Sequence, residues 1–122
     1  VGNDLTRRDL KAVAKSMGRP WDWAKAFDAS APVAPLRPVA EVGHPASGAI
    51  TAHVNGDLRQ SGDLSDMTWS VPEIIAHLSA SVAIAPGDLV FTGTPAGVGP
   101  MVAGETCVVE IAGLGRLATH IG

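Results

Sequence analysis

Apolar residues recur at helical spacing twice along this chain and alternate at strand spacing twice, and stretches rich in proline and glycine separate the patterns. Between Leu5 and Met17, the residues Leu10, Val13, Ala14 and Met17 fall on one face, while Arg8, Lys11 and Lys15 fall on another. Gly18-Arg19-Pro20 follows as a stop signal, so the spacing predicts one short amphipathic helix. From Ala31 to Gly48 the prolines at 32, 35, 38 and 45 exclude a long helix, and Val33 and Val39 are expected in short extended pieces at a sheet edge.

Strand-like alternation begins in ITAHVNGDLRQSG, where Asn55-Gly56 suits a type I′ turn because both central positions need positive φ. Strands near 50–54 and 57–61 follow. Ser70-Val71-Pro72-Glu73 has capping-box spacing ahead of Ile74, Ile75 and Leu78, so a helix should begin there and end near Ala80. Pro86-Gly87-Asp88 turns the chain into Leu89-Val90-Phe91, read as a strand that stops at the glycine- and proline-rich loop Thr92 to Gly99. The tail CVVEIAGLGRLATHIG reads as a second hairpin, turning through Gly113-Leu114-Gly115. No internal repeat is present, and the class is α+β, rich in β with a few short helices.

Length and composition narrow this picture. A chain of 122 residues suits one domain, 1–122. A hydrophobic fraction of 46% and a charged fraction of 17% are those of a globular protein. The net charge of −3 gives no electrostatic drive toward nucleic acid or an anionic membrane, which leaves small molecules or protein as the expected partners. Cys107 is the single cysteine, expected as a small buried hydrophobe in a strand, and its usage fits a reducing cytoplasm. No apolar run approaches the roughly 18 residues of a membrane span, and the start lacks signal-peptide features, so a soluble chain is expected. VGNDLTRRDL opens on Val1 and reads as though a strand had been cut just before it; truncation, processing or upstream disorder would each produce this.

Four features invite chemistry. FTGTPAGVG has the glycines and hydroxyls to cradle an anion, although it lacks the lysine of a P-loop and a tight structural loop gives the same pattern. His44, His53, His77 and His120 include no i,i+4 pair, which argues against a zinc site within the chain; His77 is expected on the exposed side of the second helix. Asp4 and Asp9 are hard-oxygen candidates for magnesium, or else Asp4 caps the first helix and Asp9 pairs with Arg8 or a downstream lysine. Lys25, set among Trp21, Trp23, Ala24, Ala26 and Phe27, either snorkels to water or occupies a site.

The segments GNDLTRRDL, GRPWDWAKAFDASAP, VNGDLRQSGDLSDMTWSVPEIIAHLS, PGDLVFTGTPAGVG and GLGRL, in that order, resemble the C-terminal catalytic portion of the fumarylacetoacetate hydrolase family. The first two are most similar to members acting on fumarylpyruvate. The resemblance implies a mixed β-sandwich roll and the C-terminal part of a longer catalytic domain. It also implies metal-dependent hydrolysis of a carbon–carbon bond in a 2,4-diketo acid, such as fumarylpyruvate or another acylpyruvate, in aromatic-compound breakdown. An oxaloacetate-type decarboxylase, a diene-dioate isomerase and a non-catalytic truncated remnant are the alternatives.

By the same resemblance, Asp4 is a ligand of a divalent metal, Mg2+ or Mn2+, and Arg8 holds the substrate's acidic end. Lys25 sits against the substrate oxygens beside the metal, and Gly93 and Thr94 take a substrate carboxylate. Lys11 stands where many relatives carry a substrate-touching glutamine. Two further metal-binding glutamates, and the histidine and glutamate that activate water on a lid, belong to the family's N-terminal part. A homodimer, or association with that N-terminal portion, is the expected assembly.

Overall fold

Both expected hairpins form in the computed structural model, which describes all 122 residues. Strand β1 (Ala49–Val54) turns into β2 (Asp57–Asp63) through Asn55 at φ 51° and Gly56 at φ 92°, the two positive angles that the turn type demands. Strand β3 (Thr106–Ile111) turns into β4 (Gly115–His120) with Gly113 at φ 76°. β1 and β3 pair antiparallel, which gives one four-stranded antiparallel sheet in the order β2-β1-β3-β4. The Asn55 side-chain oxygen accepts from the Thr106 N–H at 2.9 Å, so the first turn also fastens the start of the second hairpin.

Alternation along the central strands puts Ala52, Val54 and Cys107 fully inside, with Cys107 in the strand position its neighbours imply. Burial raises the pKa of its thiol. β2 carries one irregularity that matters for the site: Ala52 opposes Gln60 and His53 opposes Leu58, which leaves Arg59 as the extra residue of a β-bulge.

Helix α1 (Arg8–Ser16) begins later than the apolar spacing from Leu5 suggests. Residues 1–5 instead run extended beside 30–34. The Ala34 N–H bonds Val1 O, the Asn3 N–H bonds Pro32 O and the Leu5 N–H bonds Ser30 O, at 2.8 to 2.9 Å. Asp4 therefore lies in an extended segment and caps nothing; Arg7 occupies the cap position without a side-chain cap. Val33 does pair, in a bridge to Gly2. Val39, expected extended, opens the one-turn helix α2 (Val39–Val42), because Pro38 has helix-entry geometry and its carbonyl accepts from the Glu41 and Val42 amides.

Helix α3 (Val71–Ser79) starts at the capping box as expected: the Glu73 carboxylate accepts from the Ser70 N–H at 2.8 Å, and the Ser70 hydroxyl accepts in return. Single 3-10 turns at Asp22–Ala24 and Leu64–Asp66 complete the elements. Leu89-Val90-Phe91 is not a strand; no neighbour bonds its backbone in a ladder, and Phe91 packs in the space that a side chain on Gly2 would need.

The apolar residues are poorly covered. Only Ala24, Ala52, Val54 and Cys107 are buried, and Trp23, Leu36 and Val102 are more than 60% exposed. The accessible surface is 8420 Å², whereas a monomeric globular protein of this mass exposes about 6,100 Å². The residues described build one sheet and no second layer to pack on it.

Candidate active site

The first wall of the site is built by a short helical turn. Ala24 ends the 3-10 turn Asp22–Ala24, is 1% exposed, and its carbonyl accepts from the Arg7 N–H at 3.0 Å. Only a small side chain fits such a buried contact, and this docking carries the next residue, Lys25, to the extended segment that holds Asp4. The Lys25 ammonium lies 2.5 Å from Asp4 Oδ1 and donates to Leu5 O at 3.1 Å and to Thr6 Oγ1 at 2.9 Å. An ammonium has three donors, and three acceptors surround this one. With its side chain about one-third exposed, Lys25 is held within the fold by its charged end. The pair is too exposed to stabilise the fold by more than about 1 kcal/mol, so its effect is placement.

The second wall is the loop after Phe91. Gly93 sits at φ 124° and Gly97 at φ 101°, conformations that favour glycine. The Arg59 carbonyl at the bulge occupies the space that a Cβ on Gly97 would fill, and Pro95 carbons lie 3.1 Å from a Cβ position on Gly62 of β2. Gln60 Nε2 donates to Thr94 Oγ1 at 2.7 Å and to Pro95 O at 2.6 Å. Arg59, Gln60 and Gly62 of the bulged strand therefore seat the loop.

Asp4, Arg8, Gly93 and Thr94 line a single cavity of about 550 Å³, together with Gln60 and Thr6. Lys25 does not line it; it reaches the cavity through Asp4, Leu5 and Thr6. Arg7 and Arg8 have separate roles. Arg7 forms a two-pronged pair with Asp9, at 2.9 and 2.6 Å, which lowers the Asp9 pKa to about 2. Arg8 makes no ion pair in the chain, and both arginines line the cavity. Asp9 thus pairs with Arg7, where Arg8 or a lysine was expected, and lies outside the cavity. Lys11 is outside as well, with its ammonium 4.2 Å from the centre of the Trp21 ring. His77 is exposed on α3, edge-on to Trp69.

Sequence reasoning does not single out Gln60 or Thr6. Thr6 is separated from its partner by 19 residues, and Gln60 acquires its role from a bulge that the alternation of β2 does not announce.

A hard divalent cation fits part of this arrangement. Asp4 Oδ1 is taken by Lys25, while Oδ2 has no partner in the chain, so one carboxylate oxygen on the cavity wall is available. Magnesium and manganese sites need few carboxylates when waters and substrate oxygens supply the rest. No cluster of three or more acidic, histidine or cysteine side chains stands around Asp4, so the chain offers one ligand and not a complete cage.

Known proteins are similar to this chain in sequence and in fold. The chain is 40% identical over 122 residues to a fumarylpyruvate hydrolase from Ralstonia, covering 63% of that protein. It is 41% identical over 114 residues to an oxaloacetate tautomerase from Escherichia coli, covering 93% of this chain and 52% of that one. The crystal structure of a fumarylpyruvate hydrolase from Pseudomonas aeruginosa in complex with Mn2+ and pyruvate superposes with a TM-score of 0.93 at 49% identity, over 98% of this chain and 52% of that chain. The chain therefore spans between half and two thirds of the length of these proteins. The family model for the C-terminal part of fumarylacetoacetate hydrolase matches residues 1–122, and with these relatives it establishes that the chain belongs to the fumarylacetoacetate hydrolase family.

Proposed function

We propose that this chain supplies the C-terminal share of the active site of an enzyme that hydrolyses the carbon–carbon bond of an acylpyruvate such as fumarylpyruvate, with a divalent metal, Mg2+ or Mn2+, as cofactor. The observation that carries this reading is the cavity that Asp4, Arg8, Gly93 and Thr94 share, backed by Lys25. The relatives named as fumarylpyruvate hydrolases, one of them holding Mn2+ and pyruvate, support the substrate class.

Cleaving a 2,4-diketo acid with water adds hydroxyl to the acyl carbonyl and breaks the bond to the pyruvate methylene. The electron pair passes into a pyruvate enolate, and a proton on that carbon completes pyruvate. When bound, the metal supplies positive charge to the enolate oxygens. Asp4 is the residue of this chain that would hold it. Lys25 fixes the Asp4 carboxylate by its Oδ1 and brings a second positive charge next to it. Arg8, unpaired within the chain, binds the acidic end of the acyl group. The Gly93 amide and Thr94 hydroxyl take the pyruvate carboxylate.

The whole activity needs more than these residues. In our reading the uncovered apolar surface packs against the rest of a longer catalytic domain, which completes the β-roll, or against a second copy, and the remaining metal ligands and the water-activating base come from there. The surface beyond that of a monomer, on the order of 2,000 Å², is the size of a stable protein interface.

The likeness to an oxaloacetate tautomerase favours a second reading, in which the same enolate stabilisation serves proton transfer between carbon and oxygen and no carbon–carbon bond breaks. Assaying the full-length protein with Mn2+ separates the two. Fumarylpyruvate should yield fumarate and pyruvate in equal amounts; interconversion of oxaloacetate tautomers with fumarylpyruvate left intact would overturn the hydrolase reading.

A further inference from the structure

The carboxylate-binding loop contains an ambiguity that its neighbour resolves. A threonine hydroxyl both donates and accepts, and only a donating one helps to bind a carboxylate. Thr94 Oγ1 lies 2.7 Å from the side-chain nitrogen of Gln60, and the same nitrogen lies 2.6 Å from Pro95 O. The Pro95 carbonyl can only accept, so the group facing it must be the amide NH2, and chemistry fixes the orientation of the Gln60 side chain. The second hydrogen of that NH2 goes to Thr94 Oγ1. The hydroxyl oxygen is thereby occupied as an acceptor, and its own hydrogen is left to donate elsewhere, in a cavity that Gln60, Gly93 and Thr94 all line.

The bulge at Arg59 sets the register in which Gln60 meets the loop, and the Gly97 and Gly62 contacts hold the loop against it. We infer that Gln60 is a positioning residue of the site: it polarises the Thr94 hydroxyl as a one-way donor toward the substrate carboxylate. This inference rests on the acylpyruvate reading, in which that carboxylate belongs to the pyruvate half of the substrate.

The experiment is a double-mutant cycle on the full-length, Mn2+-loaded protein, with pyruvate as the probe and calorimetry as the readout. Gln60→Met keeps the length of the side chain and removes its donors; pyruvate affinity should fall about five- to tenfold, the worth of one hydrogen bond. In a Thr94→Val background the same change should have no further effect, because the hydroxyl it acts through is gone. Gln60→Glu should cost more than Gln60→Met, since a carboxylate accepts the Thr94 hydrogen and turns it from the substrate.

An equal loss from Gln60→Met in both backgrounds would mean that Gln60 merely braces the loop, and no loss in either would remove it from the site; each overturns the inference. If Thr94→Val itself leaves pyruvate affinity unchanged, the carboxylate loop fails along with the inference. If Thr94→Val weakens pyruvate and the Gln60 variants do not, only the role of Gln60 fails.

Discussion

On the Asp4 wall of the cavity one charge holds another, with the Lys25 ammonium gripping a carboxylate, a carbonyl and a hydroxyl, whereas on the Thr94 wall every contact joins neutral groups. The first wall presents charge to whatever enters: Asp4 keeps Oδ2 for a cation, and the Lys25 ammonium behind it adds positive charge that an anion in the cavity would feel. The contacts of the second contain no ionised group, so neither salt nor ionisation acts on them directly. If the proposed hydrolysis is the reaction, this difference predicts that the Asp4 wall governs turnover and the Thr94 wall ground-state binding.

Replacing residues one wall at a time tests that division, and all of the following variants refer to the full-length protein. Asp4→Ala should have the largest effect: loss of Mn2+ binding in calorimetry, and turnover at background. An unchanged Mn2+ affinity would remove Asp4 from the metal.

Lys25→Met should lower turnover about 100-fold or more, in line with deletion of one preorganised charge stabiliser, with Mn2+ still bound. Its melting temperature should drop by a few degrees, because Leu5 O, Thr6 and Asp4 all lose their donor. Near-normal turnover would return Lys25 to a purely structural tie.

On the other wall, Thr94→Val should weaken pyruvate binding about 10- to 100-fold, the loss of a hydrogen bond to a charged group, while the turnover of saturated enzyme changes less. A sharp fall in melting temperature with unchanged kinetic constants would make the loop structural.

The smallest effect lies outside both walls and serves as a control. Bonds from Ser70 to Glu73, and from Ser65 and Gly48 to Asp63, hold these carboxylates below their usual range, as Arg7 holds Asp9 at about 2. A depressed folded-state pKa stabilises the fold above the unfolded value, and that stability is lost as the pH falls. The melting temperature should therefore decline below about pH 4, and Glu73→Gln should flatten the decline slightly. A steeper decline in Glu73→Gln would contradict the assigned cap.

What could be read in the sequence was whatever depends on near neighbours. Asn55-Gly56 specifies its own turn, Ser70 and Glu73 cap their own helix, and Cys107 follows the alternation around it. The start of α1 was not readable, because residues 1–5 are drawn into pairing with 30–34, and periodicity does not register a partner so far along the chain. Leu89-Val90-Phe91 has the composition of a strand and no strand to bond, which shows that composition is not enough where the partner is missing. The order of whole motifs singles out Asp4, Arg8, Gly93 and Thr94, and the fold brings these four to one cavity. The contacts of Gln60 depend on a bulge that the alternation of β2 does not announce, and Val39 is helical because Pro38 starts a helix as readily as it borders a sheet.

The account stands or falls on whether the two walls grip one molecule. Mn2+ bound at Asp4 should broaden the methyl resonance of pyruvate in the wild-type protein, since a paramagnetic ion acts only on a ligand held close to it. At a pyruvate concentration near half-saturation, Asp4→Ala should abolish the broadening by losing the metal. Thr94→Val should lose most of it with the Mn2+ still bound. Undiminished broadening in Thr94→Val would show that pyruvate meets the metal without the loop, and that the two walls do not belong to one site.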